Sequence, residues 1–204
     1  MNRNTDTFWH KKFDQSEYFY GQDPNDFLRE TATHLPRGGR VLSLGEGEGR
    51  NAVYLAELGF QVTALDNAPS GLEKVTHLAQ NKNVTVTTLW ADLADYVFEP
   101  CAWDGIISIF CHLPPAVRQR VHTQIPQALT ANGVFLLEAY TPKQLDYKTG
   151  GPSNIALLYQ ARTLAAELQP LAFTRLVETE RYIHEGQGHQ GQSAVVQVIA
   201  TQST

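Results

Sequence analysis

Residues 40–66 read RVLSLGEGEGRNAVYLAELGFQVTALD. Arg40 to Leu44 is a short apolar run with strand character, followed at once by glycines at 45, 47 and 49. Arg50 to Leu58 carries helical spacing, with Gly59 placed just past its C-terminus, where a left-handed residue closes a helix. Gln61 to Leu65 is a second strand, ending on Asp66. Strand, glycine-rich turn, helix and strand make one βαβ unit, with parallel strands and a right-handed crossover.

Outward from this unit the alternation continues. Pro69 to Gln80 is helical, with Leu72, Val75 and Ala79 on one stripe. Val84 to Leu89 is a third strand, and Asp92 lies just beyond it. Trp103 to Phe110 (WDGIISIF) is a fourth. The next helix carries Val117, Val121, Ile125 and Ala128 on one face, and Pro126 is expected to break or kink it. Gly133 to Tyr140 (GVFLLEAY) is a fifth strand. Asn154 to Leu168 is expected as one long helix, with Ile155, Leu158, Arg162 and Ala165 at helical spacing. Two last strands, about 173–183 and 193–200, have no helix between them and flank a polar loop, EGQGHQGQ. They are expected as an antiparallel hairpin at one edge. The fold expected is α/β: one doubly wound, Rossmann-like sheet of about seven strands, mostly parallel.

The chain has 204 residues, enough for one such domain and too few for two. Residues 1–204 are expected as a single domain, with 1–36 a helical cap or lid and 37–204 the core. A net charge of −5 shows no basic face for duplex nucleic acid, so no nucleic-acid partner is expected. No apolar run reaches signal-peptide or membrane-span length, and no membrane partner is expected. Cys101 and Cys111 lie beside apolar sequence without a C-x-x-C pair, and read as reduced, mostly buried thiols. The expected location is cytoplasmic, and the expected state a monomer or weak homodimer.

Gly45, Gly47 and Gly49 give G-x-G-x-G, a turn that lets a nucleotide approach the backbone before a helix begins. Asp66, with Asn67 beside it, ends the next strand, where an acid can accept from ribose hydroxyls. NAD competes for this pattern. Its fingerprint wants glycine at position 50, which is Arg50, and Glu46 and Glu48 would repel a pyrophosphate. A ligand carrying sulfonium and ammonium groups is not repelled. After the third strand, Asp92 can accept from an adenine amino group and the Leu93 N–H can serve a ring nitrogen. The competing reading of Asp92 is a turn or helix-cap residue.

The stretch VLSLGEGEGRNAVYLAELGFQVTALD, then ADL, WDGIIS and GVFLLEAY, resembles class I S-adenosylmethionine-dependent methyltransferases. The likeness is greatest to small-molecule members of the tellurite-resistance and thiopurine methyltransferase type. FWHKKF and YGQDPNDFL resemble that family's cap over the cofactor. The resemblance implies S-adenosyl-L-methionine as cofactor, held by Gly45, Glu46, Gly47, Gly49, Asp66, Asn67, Asp92 and Leu93, and methyl transfer to a small-molecule acceptor. Two positions depart from the family pattern. Ser43 stands where an acid is usual, and Glu46 where a small residue or thiol is usual; Glu46 is expected to take the missing acid's role.

Open α/β sheets bind ligands beyond the carboxyl ends of their strands. That rule brings together Cys111-His112-Leu113-Pro114-Pro115, Tyr140-Thr141-Pro142 and the hairpin loop with His184, Glu185 and His189. Gly150-Gly151-Pro152 is expected as a rim, and Tyr18, Tyr20 and Phe27 as a lid. Imidazole suits an acceptor that must lose a proton near neutral pH. His112 is the first candidate base and His189 the second, while Tyr20, Tyr140 and His184 are expected to touch the acceptor. The plain alternatives are a backbone-bonded turn residue for His112, an exposed loop residue for His189 and a packed strand end for Tyr140. His184, Glu185 and His189 match no common zinc spacing, so no metal is expected. Two other functions stay open: a non-catalytic S-adenosylmethionine-binding or regulatory protein, and a NAD-type oxidoreductase.

Overall fold

The computed structural model describes residues 8–202, so residues 1–7 of the expected cap and the last two of the chain lie outside the described residues. The sheet is built from β1 (Arg40–Leu44), β2 (Gln61–Asp66), β3 (Val86–Trp90), β4 (Trp103–Ile109), β5 (Leu129–Tyr140), β6 (Ala172–Glu185) and β7 (His189–Thr201). Its order is β3-β2-β1-β4-β5-β7-β6. Pairs from β3 to β5 are parallel, while β5–β7 and β7–β6 are antiparallel. The chain reverses direction across the sheet between β1 and β4, and the pocket described below opens at that point.

Strand alternation sends side chains to two separate cores. On one face Val41, Ala64, Ile107 and Leu136 pack with α2 (Asp26–Thr31), α3 (Arg50–Glu57) and α4 (Pro69–Asn81). On the other, Leu42, Leu65, Ile106 and Phe135 pack with α5 (Pro115–Ala128) and α7 (Ala161–Glu167). The remaining helices are short: α1 (Phe8–Phe13) and α6 (Gln144–Tyr147).

Four local expectations are corrected. Pro126 sits inside α5 without breaking it, since the helix ends two residues later and the Leu129 N–H still reaches Ile125 O. The expected helix over 154–168 is split. Asn154 caps a single 3-10 turn, Ile155–Leu157, and the chain then runs extended to the start of α7. Tyr159 is the cause: its N–H donates to Tyr140 O (2.9 Å), and its hydroxyl donates to Cys111 O (2.7 Å) and accepts from Leu113 N (3.0 Å). Those three bonds need an extended backbone, and Ile155 is left 61% exposed. Most of EGQGHQGQ is ladder rather than loop, because Glu185 pairs with His189 and only 186–188 turn. Cys101 is exposed, although Cys111 is buried.

Candidate active site

The carboxyl ends of β1, β2 and β4 open into a cleft of about 900 Å³, counting its mouth. The glycine turn is shaped by steric exclusion. Gly45 has φ +59° and a Cβ there would lie 2.6 Å from Cys111 Sγ; Gly49 has φ +103° and its Cβ would lie 2.8 Å from Val75 Cα. Larger residues would push the loop off both neighbours.

Gly49 has no side chain with which to cap α3, and Glu46 supplies the cap instead. Its Oε1 accepts from Asn51 N (3.1 Å) and Ala52 N (2.9 Å), and Oε2 accepts from the Ser43 hydroxyl. Burial pushes the Glu46 carboxyl up to about 6, against the bonds from Ser43 and Ala52 and the charge of Arg50. The two departures from the family pattern are therefore one unit: Ser43 and Glu46 bond each other beneath the loop.

Asp66 faces the cleft, with Oδ2 accepting from Gly47 N and Oδ1 from Ala68 N, both at 2.8 Å. Each oxygen keeps a lone pair for a ligand hydroxyl. Asn67 lines the same wall, and its carbonyl accepts from Trp90 Nε1 at 3.2 Å. Asp92 is exposed at the mouth and closes its own turn onto Ala94 N (2.8 Å), with Leu93 buried beside it. Glu48 accepts from Lys74 Nζ (2.7 Å) and from the Tyr20 N–H (3.2 Å), which pins the cap segment to the loop. With Glu48 paired to Lys74 and Arg50 to Glu185, the cleft keeps Glu46, Asp66 and Asp92 as a surplus of acid that favours a cationic nucleoside ligand.

Beyond the loop the wall turns aromatic. Phe110, just after β4, has φ +52°, costly for a bulky side chain, and lines the cleft. His189 lies between the rings of Phe110 (4.4 Å), Tyr20 (4.6 Å) and Tyr140 (5.4 Å). Its Nδ1 is buried 3.9 Å from Glu185 Oε2. His112 also lines the cleft, but both nitrogens face backbone: Nδ1 donates to Leu157 O (2.7 Å) and Nε2 accepts from Tyr140 N (3.4 Å). Burial pushes His112 down to about 4.

Four residues expected at the site fall elsewhere. Tyr140 is fully buried behind His112 and Phe110, with Gly151 packed on its ring, so the Gly150-Gly151 rim braces Tyr140. His184 is exposed, because β6 alternation turns Ile183 and Glu185 inward and His184 out. Phe27 belongs to the core and Tyr18 packs over α4, bonding Lys74 O, so only Tyr20 of the three closes the cleft. Sequence reasoning missed Phe110 as a lining residue and the ion pair of Arg50 Nη1 with Glu185 Oε2 (2.6 Å), which joins a helix start to a strand end far apart in the chain.

The described residues contain no helix long and apolar enough to cross a membrane, and no group of three or more His, Cys, Asp or Glu placed to hold a metal. Residues 41–133 match the family model described as a methyltransferase domain. No curated protein sequence matches the chain. Among solved structures, TehB from Haemophilus influenzae is 18% identical, with 98% of this chain and 67% of that one covered and a TM-score of 0.71. A SAM-dependent methyltransferase from Methanosarcina mazei is 16% identical, covering 89% and 99%, with a TM-score of 0.67. A protein described with the conversion of a disulfide bond into a thioacetal group during echinomycin biosynthesis is 14% identical, covering 95% and 88%, with a TM-score of 0.76. The match to the methyltransferase-domain model covers a little under half of the chain, and the chain shares the fold of the SAM-dependent methyltransferases among these structures.

Proposed function

We propose that the chain transfers a methyl group from S-adenosyl-L-methionine to a small-molecule acceptor held between the glycine turn and the aromatic wall. One observation carries the cofactor part: of the four carboxylates lining the cleft only Glu48 is paired with a cation, Lys74, while the one lining cation, Arg50, is taken by Glu185. A cationic sulfonium is welcome there and a pyrophosphate is not. When bound, the sulfonium supplies an activated methyl group. The protein's own residues hold the acceptor in line with it and exclude water. Trp9, Phe13 and Tyr20 of the cap line the cleft from above and would complete its dry lining.

The small size of the acceptor is supported by the clasp between cap and hairpin. The Gln187 N–H donates to Phe19 O at 2.8 Å, and Gly186 and Gly188 lie against Phe19 and Tyr20. This leaves a bounded cleft rather than an open groove for a polymer. Calorimetry with S-adenosylhomocysteine and NADH at matched concentrations should show binding of the first and none of the second. Tighter NADH binding would sink the methyltransferase reading in favour of an oxidoreductase. Binding without turnover on any acceptor would favour the regulatory alternative.

His112 is better placed to brace the wall than to take a proton, since both ring nitrogens are engaged. His112→Ala should cost about 1–3 kcal/mol of stability while cofactor affinity stays near wild type. A stable variant that had lost turnover alone, measured by paired denaturation and rate assays, would restore His112 as the base.

A further inference from the structure

We infer that the outer edge of β3 is an interaction surface whose partner is a second copy of this chain, joined in antiparallel register about Thr87. β3 ends the sheet on one side and β6 on the other. An edge strand offers unpaired N–H and C=O groups, and natural sheets guard such edges with charge. β6 is guarded, since Arg175, Glu178 and Glu180 stand exposed along it. β3 is not. From Asn83 to Ala91 the sequence reads NVTVTTLWA, a run rich in β-formers and without a charge.

The ladder to β2 fixes which groups face outward. The Ala91 N–H donates to Asp66 O across the β2–β3 pairing (3.1 Å). Main-chain groups alternate along a strand, so those of Thr87 and Leu89 face β2 and those of Val86 and Thr88 face away. Among the described residues, nothing bonds the outward N–H and C=O of Val86 or Thr88. Thr85, Thr87 and Thr88 are exposed, so the edge is open to solvent.

Charge selects the partner and the register. A two-fold axis at Thr87 sets Val86 of each copy against Thr88 of the other, and each such pair exchanges both N–H···O bonds. Thr87 meets its own counterpart as the close, non-hydrogen-bonded pair between them. Lys82 and Asp92 bracket the uncharged run, each five residues from Thr87. The same axis therefore brings Lys82 of each copy to the end of the pairing where the other's Asp92 lies. Both are exposed; Lys82 is loosely tied to Glu57 (3.7 Å), and Asp92 to its own turn through one oxygen. Parallel pairing would set Lys82 beside Lys82, and an axis at Val86 or Thr88 would face it with Trp90 or Ala94 instead. Two-fold pairing occupies both β3 edges, so assembly closes at a dimer.

A strand of five residues buries little area, so the dimer should be weak, with a Kd of roughly 10–300 µM. Sedimentation equilibrium of the full chain from about 5 to about 500 µM should show monomer passing to dimer. Thr88→Pro removes an outward N–H and leaves the β2 ladder intact, so it should stay folded and monomeric throughout. Lys82→Glu should weaken association about threefold to tenfold, and Lys82→Glu with Asp92→Lys should restore it. Cross-linking in a Cys101→Ser background, where Cys111 stays buried, reads the register. Thr87→Cys should oxidise to a disulfide-linked dimer, since the Cα atoms of such a pair lie about 4.5 Å apart. Thr85→Cys should not, its two copies being roughly 13 Å apart along the strands. Should Thr88→Pro fail to fold, the charge swap and the cross-links decide. A chain still monomeric at about 500 µM, a folded Thr88→Pro that dimerises, no restoration by the charge swap, or equal cross-linking at 85 and 87 would each overturn the inference.

Discussion

Asp66→Ala should weaken S-adenosylhomocysteine binding by roughly 1.5–3 kcal/mol, the loss of a charged acceptor from two ribose hydroxyls. The carboxylate sits at the end of β2, buried, with its two oxygens already receiving the N–H groups of Gly47 and Ala68. Burial raises its pKa, against the backbone bonds from Ala68, Gly47 and Asn67. The alanine variant therefore loses two things, the ligand contact and the brace on the glycine turn. Asp66→Asn separates them, since its carbonyl oxygen can still accept one backbone bond but the charge is gone. Calorimetry on both variants, with denaturation curves alongside, measures the two losses. Wild-type affinity in a folded Asp66→Ala protein would remove Asp66 from the cofactor site.

What the sequence made legible was whatever a short window contains. The glycine turn, Asp66, the succession of strands and helices up to β5 and the closing hairpin all rest on local period and spacing. Tyr159 shows where windows fail. Its neighbours carry helical spacing, yet three bonds to the ends of β4 and β5 pull it out of any helix. Tertiary contact overrode propensity there. His184 and His189 were equivalent as residues of a polar loop, and only the β6–β7 register, one face in and one face out, tells them apart. Glu46 is a third case: its role as a helix cap depends on Gly49 having no side chain, a link between two positions rather than a property of either.

Glu138→Ala should be the most destabilising single change, costing about 3–5 kcal/mol, because it strands a charge in the interior. Glu138 is fully buried near the carboxyl end of β5, where an acid in the run GVFLLEAY has no local reason to be. Its Oε1 accepts from Arg181 Nε (3.0 Å) and Gln197 Nε2 (2.6 Å), and Oε2 accepts from Arg181 Nη2 and Asn25 Nδ2, both at 2.7 Å. Asn25 also donates to Glu185 at 3.0 Å, so the network joins the start of α2 to β5, β6 and β7. Truncation leaves Arg181 with Glu185 and a distant Asp26 (3.5 Å), leaves the Gln197 amide without its acceptor, and leaves the Asn25 amide with Glu185 alone. Glu138→Gln keeps the shape and one acceptor, and should cost less than the alanine. Urea denaturation of the three proteins gives the ranking. A loss below about 1 kcal/mol would instead mean that water reaches Glu138 and that the network is not the support of the acceptor wall.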